Sequence, residues 1–222
     1  MTIKDCYLYV TDALNNNSTN TNQVIQKHTF VRTMRAATLL WLKDKVKRQE
    51  GNKSIQRDLI PIVETKRLIG VKRSEFYEFN IPSDYYHEIT IRVNATKGKC
   101  HLTLDGVLIE SSNLSNYLIG DDTRSNFEWE QTIVTLEGGV MKVWYAGFEI
   151  DNVDLVYYRK PTEVDMETGH KDVNTGIETV DVDSDFKDSA LIEILNKTAF
   201  MLGGNISNSN YPALGTLQQL SQ

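Results

Sequence analysis

Asp181-Val182-Asp183-Ser184-Asp185 places three carboxylates on alternate positions, the arrangement with which a calcium loop begins. Such a loop also needs Gly at its sixth position and Glu at its twelfth. Counted from Asp181, those positions hold Phe186 and Ile192. The acids read instead as the start of a final helix, where Ser184 or Asp185 accepts from free backbone N–H groups and the charges suit the dipole. His28, His87, His101 and His170 are isolated from one another. Cys100-His101 is the only Cys/His neighbour pair, and adjacent strand residues point to opposite faces, which argues against a zinc pair. There is no Gly-rich phosphate loop, Gly-x-Ser-x-Gly elbow or His-Glu-x-x-His segment. Asp121-Asp122 lies in a loop-like stretch, and two adjacent acids do not define a glycosidase. The expectation is a protein that is not an enzyme, with no catalytic residue, cofactor or metal.

Two other groups of residues could bind rather than react. Arg32, Arg35, Lys43 and Lys47 accompany Trp41 on one helix-patterned stretch and could meet nucleic acid. Read as spread around the helix and broken by Asp44 and Glu50, they fit a solvated or subunit-facing surface better than a DNA-reading one. Phe127, Trp129, Trp144 and Tyr145 could form a sugar platform, although such aromatics also serve as sheet core or interface anchors. Two alternative functions follow from these groups: a carbohydrate- or protein-binding β module, and a small DNA-binding regulator.

The 222 residues suffice for one large domain or two small ones. The apolar run from Ala36 to Leu42 is broken by Thr38 and falls far short of the roughly 20 residues of a membrane span, so no membrane partner is expected. No apolar signal core follows Met1, and Cys6 and Cys100 read as reduced thiols of a protein made in the cytoplasm. Charge is uneven along the chain. Residues 1–73 carry 14 Lys/Arg against 6 Asp/Glu, and residues 74–222 carry 10 against 24. That polarity would suit complementary faces meeting between subunits.

Hydrophobic spacing then places the elements. Thr2 and Asp5 form a capping box ahead of Ile3, Cys6 or Tyr7, Val10 and Leu14, and the run from Asn15 to Asn20 ends that helix. A second helix, capped by Asn22 and ended at Gly51, carries Val24, His28, Val31, Arg35, Leu39, Leu42 and Val46 in one row and Phe30, Met34, Ala37 and Trp41 in the next. A further helix or loop from Ser54 is interrupted by Pro61. From Glu75 the period drops to two, with turns expected at Asp105-Gly106 and Gly138-Gly139. An antiparallel sandwich or small barrel is expected over residues 76–160. An acidic connection, 161–183, leads to a last helix ended by Gly203.

Two short stretches bracket the strand-rich middle: Ile81-Pro82-Ser83-Asp84-Tyr85-Tyr86 opens it and Tyr157-Tyr158-Arg159-Lys160-Pro161 closes it. This order resembles the head–tail adaptor (connector ring) proteins of short-tailed bacteriophages, including the crAss-like phages. In them a helical part passes through a Leu/Ile-Pro-x-Asp-Tyr stretch into a β insertion and returns through Tyr-Tyr-x-x-Pro. The resemblance implies an α+β fold. Residues 1–75 and 184–204 would form a helical bundle, 76–160 the β insertion, and 205–222 a C-terminal docking tail. It implies a structural virion protein, a subunit of a homo-oligomeric ring, commonly a dodecamer, made in the host cytoplasm. The ring would lie below the portal protein, against neighbouring ring or tail proteins, and genomic DNA would cross its channel without sequence-specific binding. The interface residues expected on this reading are Arg35, Trp41, Lys43 and Lys47, with Tyr211, Leu214, Leu217 and Leu220 of the tail.

Overall fold

Elements from both ends of the chain build one helical unit, and the middle builds a sheet. The computed structural model describes residues 1–16, 24–120, 122–167 and 178–205. It divides into a unit of residues 1–61 with 161–222 and a unit of residues 62–160. The fold is α+β, and no helix among the described residues is long and apolar enough to cross a membrane.

In the first unit, α1 (Ile3–Asn16) begins at the expected capping box. Thr2 N donates to Asp5 Oδ2 at 2.9 Å and Asp5 N donates to Thr2 Oγ1 at 3.3 Å. The next free N–H, that of Ile3, donates to Asp183 Oδ1 at 2.6 Å. Asp183, in the acidic run near the C-terminus, therefore caps the first helix. Asp181 accepts from Glu167 N and pairs with Lys4 at 2.6 Å, while Asp185 accepts from Thr162 N. The last helix, α5 (Asp188–Asn205), starts beyond these acids. Phe186, wedged edge-on against Trp41 with ring centroids 4.8 Å apart, occupies the turn that the earlier start would have used. Gly203 does not end α5, because it is buried inside the last turn.

Helix α2 (Lys27–Arg48) follows Gln26, whose side chain makes no capping bond; Asn22 lies outside the described residues. Packing buries the second of its two apolar rows together with Val31 and Leu42 of the first. Phe30, Met34, Ala37 and Trp41 are buried, whereas Val24 and Leu39 are exposed. α5 packs on both α1 and α2. Gly51 (φ 73°) ends the α2 turn, and Asn52 caps α3 (Lys53–Leu59) by accepting from Ser54 N and Ile55 N. A 3₁₀ turn at Ile60–Ile62 contains Pro61. Cys6 is buried on α1 and burial raises its thiol to about 11, whereas Cys100 is exposed. A thiol reagent at neutral pH is expected to modify Cys100 in the native chain and to reach Cys6 only after denaturation. Equal reaction of both thiols in native protein would contradict the packing of α1.

The second unit is one curled sheet, half a barrel, of eight strands. These are β1 (Val63–Leu68), β2 (Val71–Lys72), β3 (Phe76–Asn80), β4 (Tyr85–Lys97), β5 (Cys100–Leu108), β6 (Gln131–Glu137), β7 (Val140–Trp144) and β8 (Glu149–Arg159). A short α4 (Leu114–Ile119) lies between β5 and β6. The strand order is β1-β8-β4-β5-β6-β7-β3-β2. β1 and β2 are thus at opposite edges, yet only Ile69-Gly70 separates them in sequence, so the sheet must bend until its edges come within reach of two residues. Gly70 permits this approach, since a Cβ there would lie 2.6 Å from the buried Phe79 ring. Lys72 and Tyr77 both reach Glu149 at the start of β8, tying β2 and β3 across to it.

The sheet departs from the sequence reading in three places. β1 and β2 belong to it, so the boundary precedes Glu75; as edge strands they bury few side chains and show no period of two. Asp105-Gly106 is not a turn. The hairpin turn is at Gly98 (φ 64°), and β5 runs on through Gly106 while changing partner from β4 to β6. A Cβ at Gly106 would meet Ile91 Cγ2 at 2.7 Å, so this glycine allows strand packing. Finally, β5 and β6 are parallel, which the long crossover through residues 109–130 permits, so the sheet is not wholly antiparallel. Gly138 (φ 58°) and Gly139 (φ 84°) do form the expected two-residue hairpin.

Candidate functional site

The two motif stretches, more than seventy residues apart, meet at one end of the sheet. Pro82 O accepts from Tyr85 N at 3.0 Å, a turn that presents Asp84 towards β8. Tyr157 Oη donates to Asp84 Oδ1 at 3.0 Å, and Lys160 N donates to Asp84 O at 2.6 Å. Lys160 Nζ donates to Ser83 O at 3.4 Å. Lys66 of β1 adds its ammonium 3.5 Å from Asp84 Oδ1 and over the Tyr157 ring. Tyr85 pairs with Arg159 in register and packs on Tyr157 at 5.8 Å. Chain entry and exit are adjacent, because Val63 pairs with Tyr158. Asp84 therefore clamps the start of β4 to the end of β8.

Electrostatics follow this geometry. Partial burial opposes the Asp84 charge, but the bonds from Tyr157 and Lys66 outweigh it and hold the carboxyl below its usual range. Burial, then the neighbouring acid, raises Tyr157. Burial and the Glu88 carboxylate raise Tyr85. Asp84→Ala would leave the fully buried Tyr157 without this acceptor, and the expected cost is about 2 kcal/mol at neutral pH. Because the folded-state pKa of Asp84 lies below 3.8, its contribution is present above that value and is lost as pH falls through the folded value. Wild-type and Asp84→Ala melting temperatures should therefore converge on acidification. A constant gap would show that the charge takes no part.

Beside the clamp lies an open cavity of about 420 Å³. Its walls are Ile81, Pro82, Ser83 and Tyr85 on one side and Leu136 to Gly139 on the other, with Lys160. No group of three metal-ligating side chains occurs among the described residues. His101 Nδ1 and Asp151 Oδ2 are bridged by the Thr96 hydroxyl, each at 2.7 Å, on the exposed sheet surface.

The expected interface residues separate into two sets. Trp41 is buried, with Nε1 donating to Glu193 Oε2 at 2.7 Å. Arg35 donates to Val164 O at 2.8 Å and pairs with Glu163 at 3.2 Å. Both are spent within the chain. Lys43 and Lys47 are exposed. Tyr211, Leu214, Leu217 and Leu220 lie outside the described residues. The uneven charge along the sequence is also not a division in space. The helical unit carries 13 Lys/Arg and 15 Asp/Glu, because the acidic connection folds back on basic α2. Sequence reasoning missed Lys45, buried between Asp58 (3.5 Å) and Glu193 (2.8 Å).

The aromatics do not form a joint platform. Phe127 packs in the sheet core on Phe148, Trp144 on Phe76, and Tyr145 on Tyr77, leaving Trp129 as the exposed ring of the four. Compared with known protein-family models and with curated proteins, the chain matches none.

Proposed function

We propose that this chain is a structural subunit of an oligomeric ring in the head–tail connector of a short-tailed phage. The observation that carries the reading is the Asp84 clamp. The two stretches whose order resembles the connector proteins meet at the end of β8, whose Tyr158 pairs with Val63 where the chain enters the sheet. Helices from both termini pack together around α5, as a bundle carrying an inserted β domain would require. The ring, a dodecamer on this reading, sits below the portal protein and against other ring or tail proteins, and belongs to the virion. Its acidic majority repels phosphate and lets genomic DNA pass without sticking. The residues after Gly203 dock on a neighbour.

The test is assembly with the portal protein encoded beside this chain. Co-purification and closed rings by electron microscopy are the expected result. Absence of the chain from virions, together with no association with any portal or tail component, would overturn the reading.

A further inference from the structure

We infer that the outward face of α2 docks on α4 of a second copy of this chain, an inference that rests on the ring reading and names the contact. On α2, Arg32, Ala36, Leu39, Leu40, Lys43 and Lys47 fall within an arc of about 100°, opposite the buried row. Arg32, Lys43 and Lys47 share this side of the helix, whereas Lys45 and Arg48 lie on the other. Leu39 and Leu40 are 51% and 47% exposed at the two edges of this arc, midway along its length. Arg32, Lys43 and Lys47 flank them and have no ion-pair partner among the described residues, whereas Arg35, Lys45 and Arg48 are paired. The face is therefore apolar in the middle and basic at both ends.

A surface with exposed apolar residues between two acids lies in the other unit. α4 exposes Leu118 and Ile119, the latter 82% open, with exposed Glu110 before the helix and Asp122 after it. Two α2 faces cannot pair about a twofold axis without placing like charges together, and neither can two acid-flanked α4 faces. An α2-to-α4 contact satisfies both, and where it is not returned within the same pair it is head-to-tail, the kind that generates rings. DNA is the less fitting occupant, since two leucines midway along the face gain nothing against phosphate.

The experiment uses the full chain carrying Cys100→Ser. One preparation adds Leu40→Cys, a second adds Ile119→Cys, and each is treated with a short bismaleimide alone and mixed, at up to about 1 mM chain. Cross-linked dimer is expected in the mixture and in neither preparation alone. Adding Lys43→Glu and Lys47→Glu to the first should cut the product by roughly tenfold, and Glu110→Lys with Asp122→Lys in the second should restore it. No mixed product, product from Leu40→Cys alone, or binding of a short DNA duplex that Lys43→Glu abolishes would each overturn the α2-to-α4 contact. Mass spectrometry of virions scores the connector reading separately, so a chain found in virions without the mixed cross-link would sink this contact alone.

Discussion

Excising residues 62–160 and joining Pro61 to Pro161 through a short Gly-Ser linker is expected to leave a soluble helical protein, and the excised piece is expected to fold by itself. The ends of the excision are neighbours, since Val63 and Tyr158 face each other on paired strands and such partners lie about 5 Å apart. A short linker then spans the gap at little entropic cost. Each piece keeps its own core. The sheet holds Tyr77, Phe79, Val93, Leu104, Met141, Val153 and Tyr157 in one continuous cluster. The helices bury Phe30, Met34, Leu42, Phe186, Ile194 and Leu195. Circular dichroism of both pieces checks this, and full loss of helix in the remnant would mean that the two units depend on one shared core.

Glu193→Ala is expected to be the most costly single truncation on the surface of the helical unit, at about 3 kcal/mol, or roughly 10 °C in melting temperature. Glu193 itself is half exposed, so its own charge contributes little. The cost lies in what it leaves behind. Lys45, with a side chain 11% exposed, keeps only Asp58 at 3.5 Å, and Trp41 Nε1 loses its acceptor. Lys43→Ala, two residues away in the same basic stretch but exposed, should stay within about 0.5 kcal/mol. Thermal melts with Trp41 fluorescence distinguish the two, and equal small effects would show that the Lys45 cluster is not a structural joint.

Local chemistry was enough to place several elements. Thr2 and Asp5 carry the start of α1 because a capping box satisfies neighbouring N–H groups without tertiary help. Gly138-Gly139 marks a hairpin because only residues free to take positive φ fit that turn. The change of period near Glu75 announced strands because one face of each is buried, and the two motif stretches stood out as pieces. Their bond, Tyr157 to Asp84, did not, since nothing in either stretch specifies a partner more than seventy residues away.

The remaining decisions belong to tertiary packing. Both apolar rows of α2 have helical spacing, and only contact with α5 and Phe186 buries Trp41 while leaving Leu39 and Leu40 outside. β1 and β2 are edge strands, and an edge strand with few buried side chains leaves no alternation to read. Asp105-Gly106 has the composition of a turn, but the glycine is required by the approach of Ile91 from the neighbouring strand. The acidic run from Asp181 looked like a cap for the helix beside it in sequence, and its Asp183 became the cap of α1, from the other end of the chain. Residue type and spacing fix which local hydrogen bonds and faces are available; which of them is used depends on groups brought close by the fold, and sequence distance carries no record of that.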